Sequence, residues 1–428
     1  MRIAYVTAGA AGMYCGSCMR DNTLVAALAA RGHDAQLLPI YTPLRTDEDD
    51  VSVPRVFFGG INVYLQQKYS LFRHTPWFLD RLLDARGLLR WASRFGVRTQ
   101  AERLGDLTVS MLRGEHGNQR KEVDKLIGWL AQSKPEIINI TNVMLSGIVS
   151  ELKRRLGVPV LCSLQGDDIY LDYLPDEHRG AAIDLIRHNS AGIDGYITTS
   201  RYYADFMAEY LGLPPERIHV VWPGLNLKGH GAPRPDRNGT PFTVGYFARV
   251  CPEKGFHVLA EAFHLLRRSP GAPPVRLRVS GYLGVQNRPW FDALVKQLRD
   301  RGHGALFEHV ESPDHASKVH FLQSLDVLSV PTIYREPKGL YILEALANGV
   351  PVVQPRHGSF PELVEATGGG LLVQPGNAAE LAATLLRLAQ EPAVGRELGR
   401  KGREVVHSRF TADRMAAETA DVYSRYVR

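Results

Sequence analysis

The strongest constraint on this chain is an alternation of strand-length and helix-length runs. Strand-like "RIAYVT" is followed by a helix predicted from about Ser17 to Arg31, with Leu24 and Leu28 four apart and Gly32 as the stop. Then come "AQLLPI", "EIINI", "MLSGIVSELKRRLG", "VPVLCSL", "AAIDLIRHNSAGI", "GYITTS" and "RYYADFMAEYLGL", strand and helix in turn. Strands joined through helices pair in parallel, because a crossover of that length returns the chain to start the next strand in the same direction. The predicted class is therefore α/β with a doubly wound, Rossmann-like sheet. The alternation breaks at "WPGLNLKGHGAPRPDRNGTPF", where Gly, Pro and charge crowd together, and restarts with "TVGYFA", "FHVLAEAFHLLRR" and "VRLRVSG". It continues through "VLSVP", "LYILEALANG", "VPVVQP" and "LLVQP".

The 428 residues exceed what one core usually organises. Two domains are expected: 1–222, a linker at 223–240, and 241–410, with a last amphipathic helix in 411–428 packing back on the first domain. Two such sheets would face one another across a cleft. Residues 44–128 break the alternation. "QQKYSLFRHTPWFLDRLLDARGLLRWASRFGVR" is helical in pattern and sets Lys68, Arg73, Arg81, Arg86, Arg90, Arg94 and Arg98 among aromatics and Leu. One reading is a helical insert whose Arg stems lie along apolar surface. The other is an acceptor cap or a membrane-surface patch.

The excess of 51 basic over 45 acidic residues suits anionic small molecules, a lipid surface or nucleic acid equally. No basic run, zinc-finger spacing or RNA-binding signature accompanies it, so no nucleic-acid partner is expected. The start "MRIAYVTAGAAG" lacks a charged segment ahead of a long apolar one, and no run reaches the ~18 apolar residues of a spanning helix. A cytoplasmic location follows, with peripheral contact to the inner membrane face through the insert left open. Four cysteines at 15, 18, 162 and 251 are too scattered for a disulfide framework.

Open parallel sheets bind ligands beyond the carboxyl ends of their strands. In "YREPKGLYILEALANGVPVVQP", Glu336 precedes a Pro-Lys-Gly turn, and a helix starting near Gly339 carries Glu344. A helix start offers unpaired amides and a positive dipole end, so an anion belongs there, with the two carboxylates placed for hydroxyls on either side of it. Two Glu eight apart are also ordinary surface residues. In "GYFARVCPEKGFHVLAEAF", Arg249 and Lys254 lie in a loop between strand and helix, which suits a diphosphate or, equally, an ordinary surface loop.

These two segments, with "GSFPELVEATGGGLLVQPGNAAELA", "GIDGYITTSRYYADFM", "LGLPPERIHVVWPGLN" and "LVAALAARGHDAQLL", closely resemble the retaining group 1 (family 4) glycosyltransferases of the GT-B fold. The resemblance spans nearly the whole chain outside 44–128. It implies a nucleotide-sugar donor held by the second domain and an acceptor held by the first. It implies Arg249 and Lys254 on the donor diphosphate, Glu336 on the sugar, and Gly339 and Leu340 amides on the phosphate and sugar edge. Glu344 would bind the ribose, with Gly281 and Lys338 completing the donor set. Catalysis would be electrostatic, with no metal and no cofactor beyond the nucleotide sugar as co-substrate.

The first domain departs from the family pattern. Gln165-Gly166-Asp167-Asp168 stands where many relatives have a His-Gly-x-Asp turn, and "NITN" ends in Asn142 where they have His-x-His. Gln and Asn take no proton near neutral pH, so Asp168 or a donor phosphate oxygen would accept the acceptor's proton, Asp168 being equally a candidate helix cap. Cys15-Gly16-Ser17-Cys18 occupies the loop where relatives carry Gly-Gly. Gly12 and Gly16 would let backbone approach the phosphate or acceptor, with Gln165 nearby. Cys18 at a helix start would be the more acidic thiol of a redox pair with Cys15, or the pair is inert. A zinc site would need four ligands, and the other two cysteines lie in different halves. The reading that results is a metal-independent retaining glycosyltransferase moving a hexosyl group. Its alternatives are a phosphorylase or sugar-phosphate-accepting synthase, and a thiol-regulated nucleotide-sugar binder without turnover.

Overall fold

The computed structural model describes residues 1–9, 15–73, 101–231, 240–312 and 314–427. The chain divides into two units, Met1–Gly224 with Ala412–Arg428, and Leu225–Thr411. Gly12 and most of the Arg-rich part of the insert lie outside the described residues, as does the middle of the expected linker.

The first unit is built on strands β1 (Arg2–Ala8), β2 (Asp34–Ile40), β3 (Ile137–Ile140), β4 (Val160–Leu164), β5 (Gly195–Thr198) and β6 (Ile218–Val220). Their order is β2-β1-β3-β4-β5-β6 and every pairing is parallel. Both faces of the central strands are covered, so β4 is buried along its whole length and its sequence is mostly apolar, broken only by Ser163, rather than alternating. Helix α1 (Gly16–Ala30) follows β1 and packs with Leu24, Val25 and Leu28 against the helix Ala412–Ser424, whose Met415, Ala416 and Tyr423 join the same cluster. Around the insert, helices Gly60–Lys68, Ala101–Leu112 and Arg120–Ser133 are described.

The second unit carries β7 (Phe242–Phe247), β8 (Val275–Ser280), β9 (Phe307–Val310), β10 (Val327–Leu328), β11 (Val352–Pro355) and β12 (Gly370–Val373). They run β12-β11-β10-β7-β8-β9, again all parallel. The expected strands and helices form, with three differences. "MLSGIVSELKRRLG" is a 3-10 turn over Val143–Ile148 before an α-helix over Val149–Leu156, with Gly147 packed so closely that an added Cβ would stand 2.3 Å from the Met111 carbonyl. Edge strands β6 and β9 carry little apolar signal because they are only partly buried. Helix His315–Gln323, capped by Asp314 accepting from the Ser317 amide at 2.8 Å, also lay outside the sequence pattern.

Candidate functional site

In the second unit the chain leaves β10 through Pro331 and Thr332 and turns at Glu336 into helix Leu340–Ala347, with Gly339 preceding the helix in the left-handed region at φ 64°. That helix is apolar and buried, so its first turn is fixed by packing rather than by a capping side chain. Glu336 is 4 % exposed. Its Oε2 accepts from Lys254 Nζ at 2.6 Å, from the Tyr334 phenol at 2.7 Å and from the Tyr341 phenol at 3.3 Å. Its Oε1 takes long hydrogen bonds, 3.4 Å each, from the Lys338 and Gly339 amides. Burial, the largest single influence, would raise the Glu336 carboxyl, but the Lys254 ammonium together with hydrogen bonds from Lys254 and Tyr334 outweighs it and holds the carboxyl down to about 2. The Tyr334 and Tyr341 phenols move the opposite way, pushed up by burial and then by the charge of Glu336, so they remain protonated donors.

Lys254 reaches this carboxylate from the loop after β7. It is 7 % exposed and its ammonium lies 4.9 Å and 5.0 Å from the ring centres of Tyr334 and Tyr341, over both π faces. Arg249, in the same loop, is exposed, while Lys338 is buried beside the Glu336 turn. Gly281 ends β8 at φ 136°, and a Cβ there would stand 1.8 Å from the Ala248 carbonyl, so only glycine lets this loop pass the residue before Arg249. Glu344, one turn along its helix and 7 % exposed, accepts from Lys318 Nζ at 2.8 Å. Sequence reasoning missed Lys318, itself 4 % exposed; the Asp314 cap was the available signal for its helix. The structure thus brings Lys254, Glu336, Lys338 and Gly339 together, and couples Glu344 to a cation from a different helix.

In the first unit the buried centre is Asp21 on α1, which the sequence did not single out. Its Oδ1 accepts from the Tyr5 phenol at 2.8 Å and the Gln165 amide at 2.9 Å; its Oδ2 accepts from Thr7 at 2.9 Å and Thr141 at 2.5 Å. One carboxylate therefore ties together β1 and the ends of β3 and β4. Gln165 is 5 % exposed and committed to that tie. Asp168 does not cap its helix: Gly166 precedes Asp167–Asp172, and Asp168 Oδ1 instead accepts from the Tyr203 phenol at 2.6 Å. Burial raises the Asp168 carboxyl against the opposing pull of that hydrogen bond. Asn142, half-buried, leads the 3-10 turn after β3.

Gly16 opens α1 and Cys15 precedes it, half-buried. Cys18 is 3 % exposed and its thiol donates to the Ala8 carbonyl at 2.8 Å, so the second thiol of the pair faces the interior. No disulfide joins the two. Among the described residues, no group of three or more His, Cys, Asp or Glu is placed to hold a metal ion, and no helix is long and apolar enough to cross a membrane.

Two family models match the chain: a glycosyl transferase 4-like domain over residues 22–224 and glycosyl transferases group 1 over residues 232–405. A putative colanic acid biosynthesis glycosyltransferase of Escherichia coli is 32 % identical over 76 % of this chain and 79 % of its own length. The chain belongs to the group 1 glycosyltransferases. A D-inositol 3-phosphate glycosyltransferase of Streptomyces bingchenggensis is likewise 32 % identical, over 55 % of this chain. That match spans 53 % of the Streptomyces protein, so the chain covers about half the length of several curated relatives it matches. Among solved structures, Anabaena HepE in complex with UDP superposes with a TM-score of 0.70 at 17 % identity, covering 99 % of this chain and 100 % of that one. With two parallel Rossmann-like sheets, this group 1 glycosyltransferase has the GT-B fold.

Proposed function

We propose that this glycosyltransferase transfers a hexosyl group from a nucleoside diphosphate sugar with retention at the anomeric carbon, without a metal or other cofactor. The observation that carries this is the buried Lys254–Glu336 pair, 2.6 Å apart, at the start of helix Leu340–Ala347. The amides of the first helical turn lack intrahelical acceptors and the dipole end is positive. A departing diphosphate placed there would be neutralised by Lys254, Arg249, Lys338 and the helix start together, the work a divalent ion does elsewhere. Glu336, ionised and held on three sides, would fix the sugar and offset the positive charge developing at its anomeric carbon. Lys318 would orient Glu344 toward the ribose. HepE being solved with UDP supports a uridine or similar nucleotide donor.

For the acceptor, Asp168 is the candidate proton acceptor in the first unit, its raised carboxyl being a stronger base than an ordinary aspartate. The inositol phosphate relative favours an acceptor bearing a phosphate as the narrower reading. Exposed Tyr69 and Leu71 beside Lys68 and Arg73 support contact with a lipid surface. The deciding experiment is thermal stabilisation of wild type and Lys254→Ala by UDP, GDP, ADP and dTDP, alone and as sugar conjugates. One base stabilising wild type but not the variant is expected; stabilisation by none, or equally of both, sinks the donor-site reading. The anomeric configuration of the first product, read by NMR, tests retention.

A further inference from the structure

Arg20 is 2 % exposed, and none of its three side-chain nitrogens has a hydrogen-bond acceptor among the described residues. Its neighbour Asp21 stands 3.6 Å from Nη1, close enough to balance charge but too far to accept a hydrogen bond, and both Asp21 oxygens already receive two donors each. Arg20 is therefore a buried guanidinium with five N–H donors and no acceptor for them among the described residues. Two more groups in the same core share the condition. Thr419 and Tyr423 lie one turn apart on the helix packed against α1, both fully buried, and neither hydroxyl has a partner among the described residues. Tyr423 packs in one cluster with Leu24, Val25 and Leu28 of α1, and its phenol feels the charges of both Arg20 and Asp21.

Leaving so many donors unmatched in a protein interior costs on the order of 1–3 kcal/mol for each group. What would satisfy them must accept hydrogen bonds rather than donate them, must fit where the side chains are closed to solvent, and would gain from negative charge. The start of α1 adds to that preference, because it has no acidic residue in its first turn and no capping side chain. We infer that Arg20, Thr419 and Tyr423 form a site for a small inorganic anion of chloride size, which fastens the C-terminal helix onto α1. The ligand is a structural ion argued from first-unit residues alone, so it stands whether or not the donor assignment does.

The test is thermal unfolding of the full chain at constant ionic strength as gluconate is replaced by chloride. A saturable rise is expected, about 3–5 °C at tenfold above half-saturation. Arg20→Met, which keeps the stem and removes the donors, should abolish the chloride response, and Tyr423→Phe and Thr419→Val should each weaken it at least threefold in half-saturating concentration. Chloride-35 line broadening on wild type, lost in Arg20→Met, would report the ion directly. Equal midpoints in gluconate and chloride, a response retained in Arg20→Met, or a response that needs an ion as large as phosphate would each overturn the site. If Arg20→Met does not fold, the Tyr423 and Thr419 variants decide alone.

Discussion

Glu336 and Asp21 are both fully buried carboxylates near the carboxyl ends of parallel strands, and both collect four or more hydrogen bonds, yet they are built for different work. Glu336 has a cation in direct contact, with Lys254 at 2.6 Å. Asp21 has only neutral donors in contact, with its cation 3.6 Å away. A carboxylate that shares its partner cation with a helix start can hand part of that cation to an arriving diphosphate. One that is satisfied by Tyr5, Thr7, Thr141 and Gln165 has nothing to hand over and instead holds three strands and a helix in register. If the donor binds as proposed, the difference separates a site poised to react from a brace.

The largest effect should come from breaking the first of these. Glu336→Gln keeps the shape of the side chain and loses the charge, so turnover should fall about 10²–10³-fold, as for other groups that stabilise developing charge. Nucleotide affinity should change far less. Equal losses in kcat and in nucleotide binding would make Glu336 a brace of the same kind as Asp21.

The acid stability of the second unit sharpens the same contrast. Glu336 ionises at about 2 in the folded chain against an ordinary 4.5, so between those pH values the unfolded chain binds more protons and acid favours unfolding. The pairing contributes its full stabilisation above 4.5 and loses it as pH falls toward 2, on the order of 3 kcal/mol in all. Glu336→Gln should flatten that limb of the stability curve measured by denaturant titration. A limb as steep as in wild type would assign the acid sensitivity elsewhere.

Lys254→Ala comes next. Charge-assisted hydrogen bonds are worth about 1.5–3 kcal/mol, so diphosphate affinity by calorimetry should weaken roughly 10–100-fold. Unchanged affinity would confine Lys254 to neutralising Glu336. Asp21→Asn is expected to cost about 1–3 kcal/mol of first-unit stability, since an amide presents one acceptor where the carboxylate presented two. Donor-nucleotide affinity should be the same as in wild type; a loss there would make Asp21 more than a brace.

The two regions also differ in how far they could be read from sequence. Glu336, Gly339 and Glu344 are close along the chain, Lys254 lies in a second loop after an apolar strand, and each segment carries charge at a turn or helix start, so local pattern singled out both segments. What local pattern could not supply was the pairing itself: Lys254 and Glu336 are 82 residues apart, and nothing in either segment says that one neutralises the other. Asp21 was invisible for the same reason. An aspartate in the second turn of a helix is unremarkable until β3 and β4 deliver Thr141 and Gln165 to it, from 120 and 144 residues away. Gln165 was noticed, but as a residue facing ligand, whereas its amide is spent on Asp21. Strands β6 and β9 escaped notice because edge strands of three and four residues, half open to solvent, carry neither the apolar run nor the alternation that marks a strand.

The smallest expected effect probes the second carboxylate of the reactive site. Glu344 accepts from a buried ammonium: Lys318 reaches it at 2.8 Å, from a helix that sequence pattern did not reveal. If Glu344 binds the ribose hydroxyls, Lys318 is a positioning residue that holds the carboxylate turned one way. Lys318→Met would then raise KM for the sugar nucleotide about 3–10-fold, as befits one modest hydrogen-bonded contact, while leaving kcat nearly unchanged. Lys318→Arg should restore most of the loss, because a guanidinium can still reach one carboxylate oxygen. A matching fall in kcat would instead carry Lys318 into the charge stabilisation shared by Lys254 and Glu336, and the two carboxylates of this unit would then act as one site rather than as a reactive centre with a nucleoside anchor beside it.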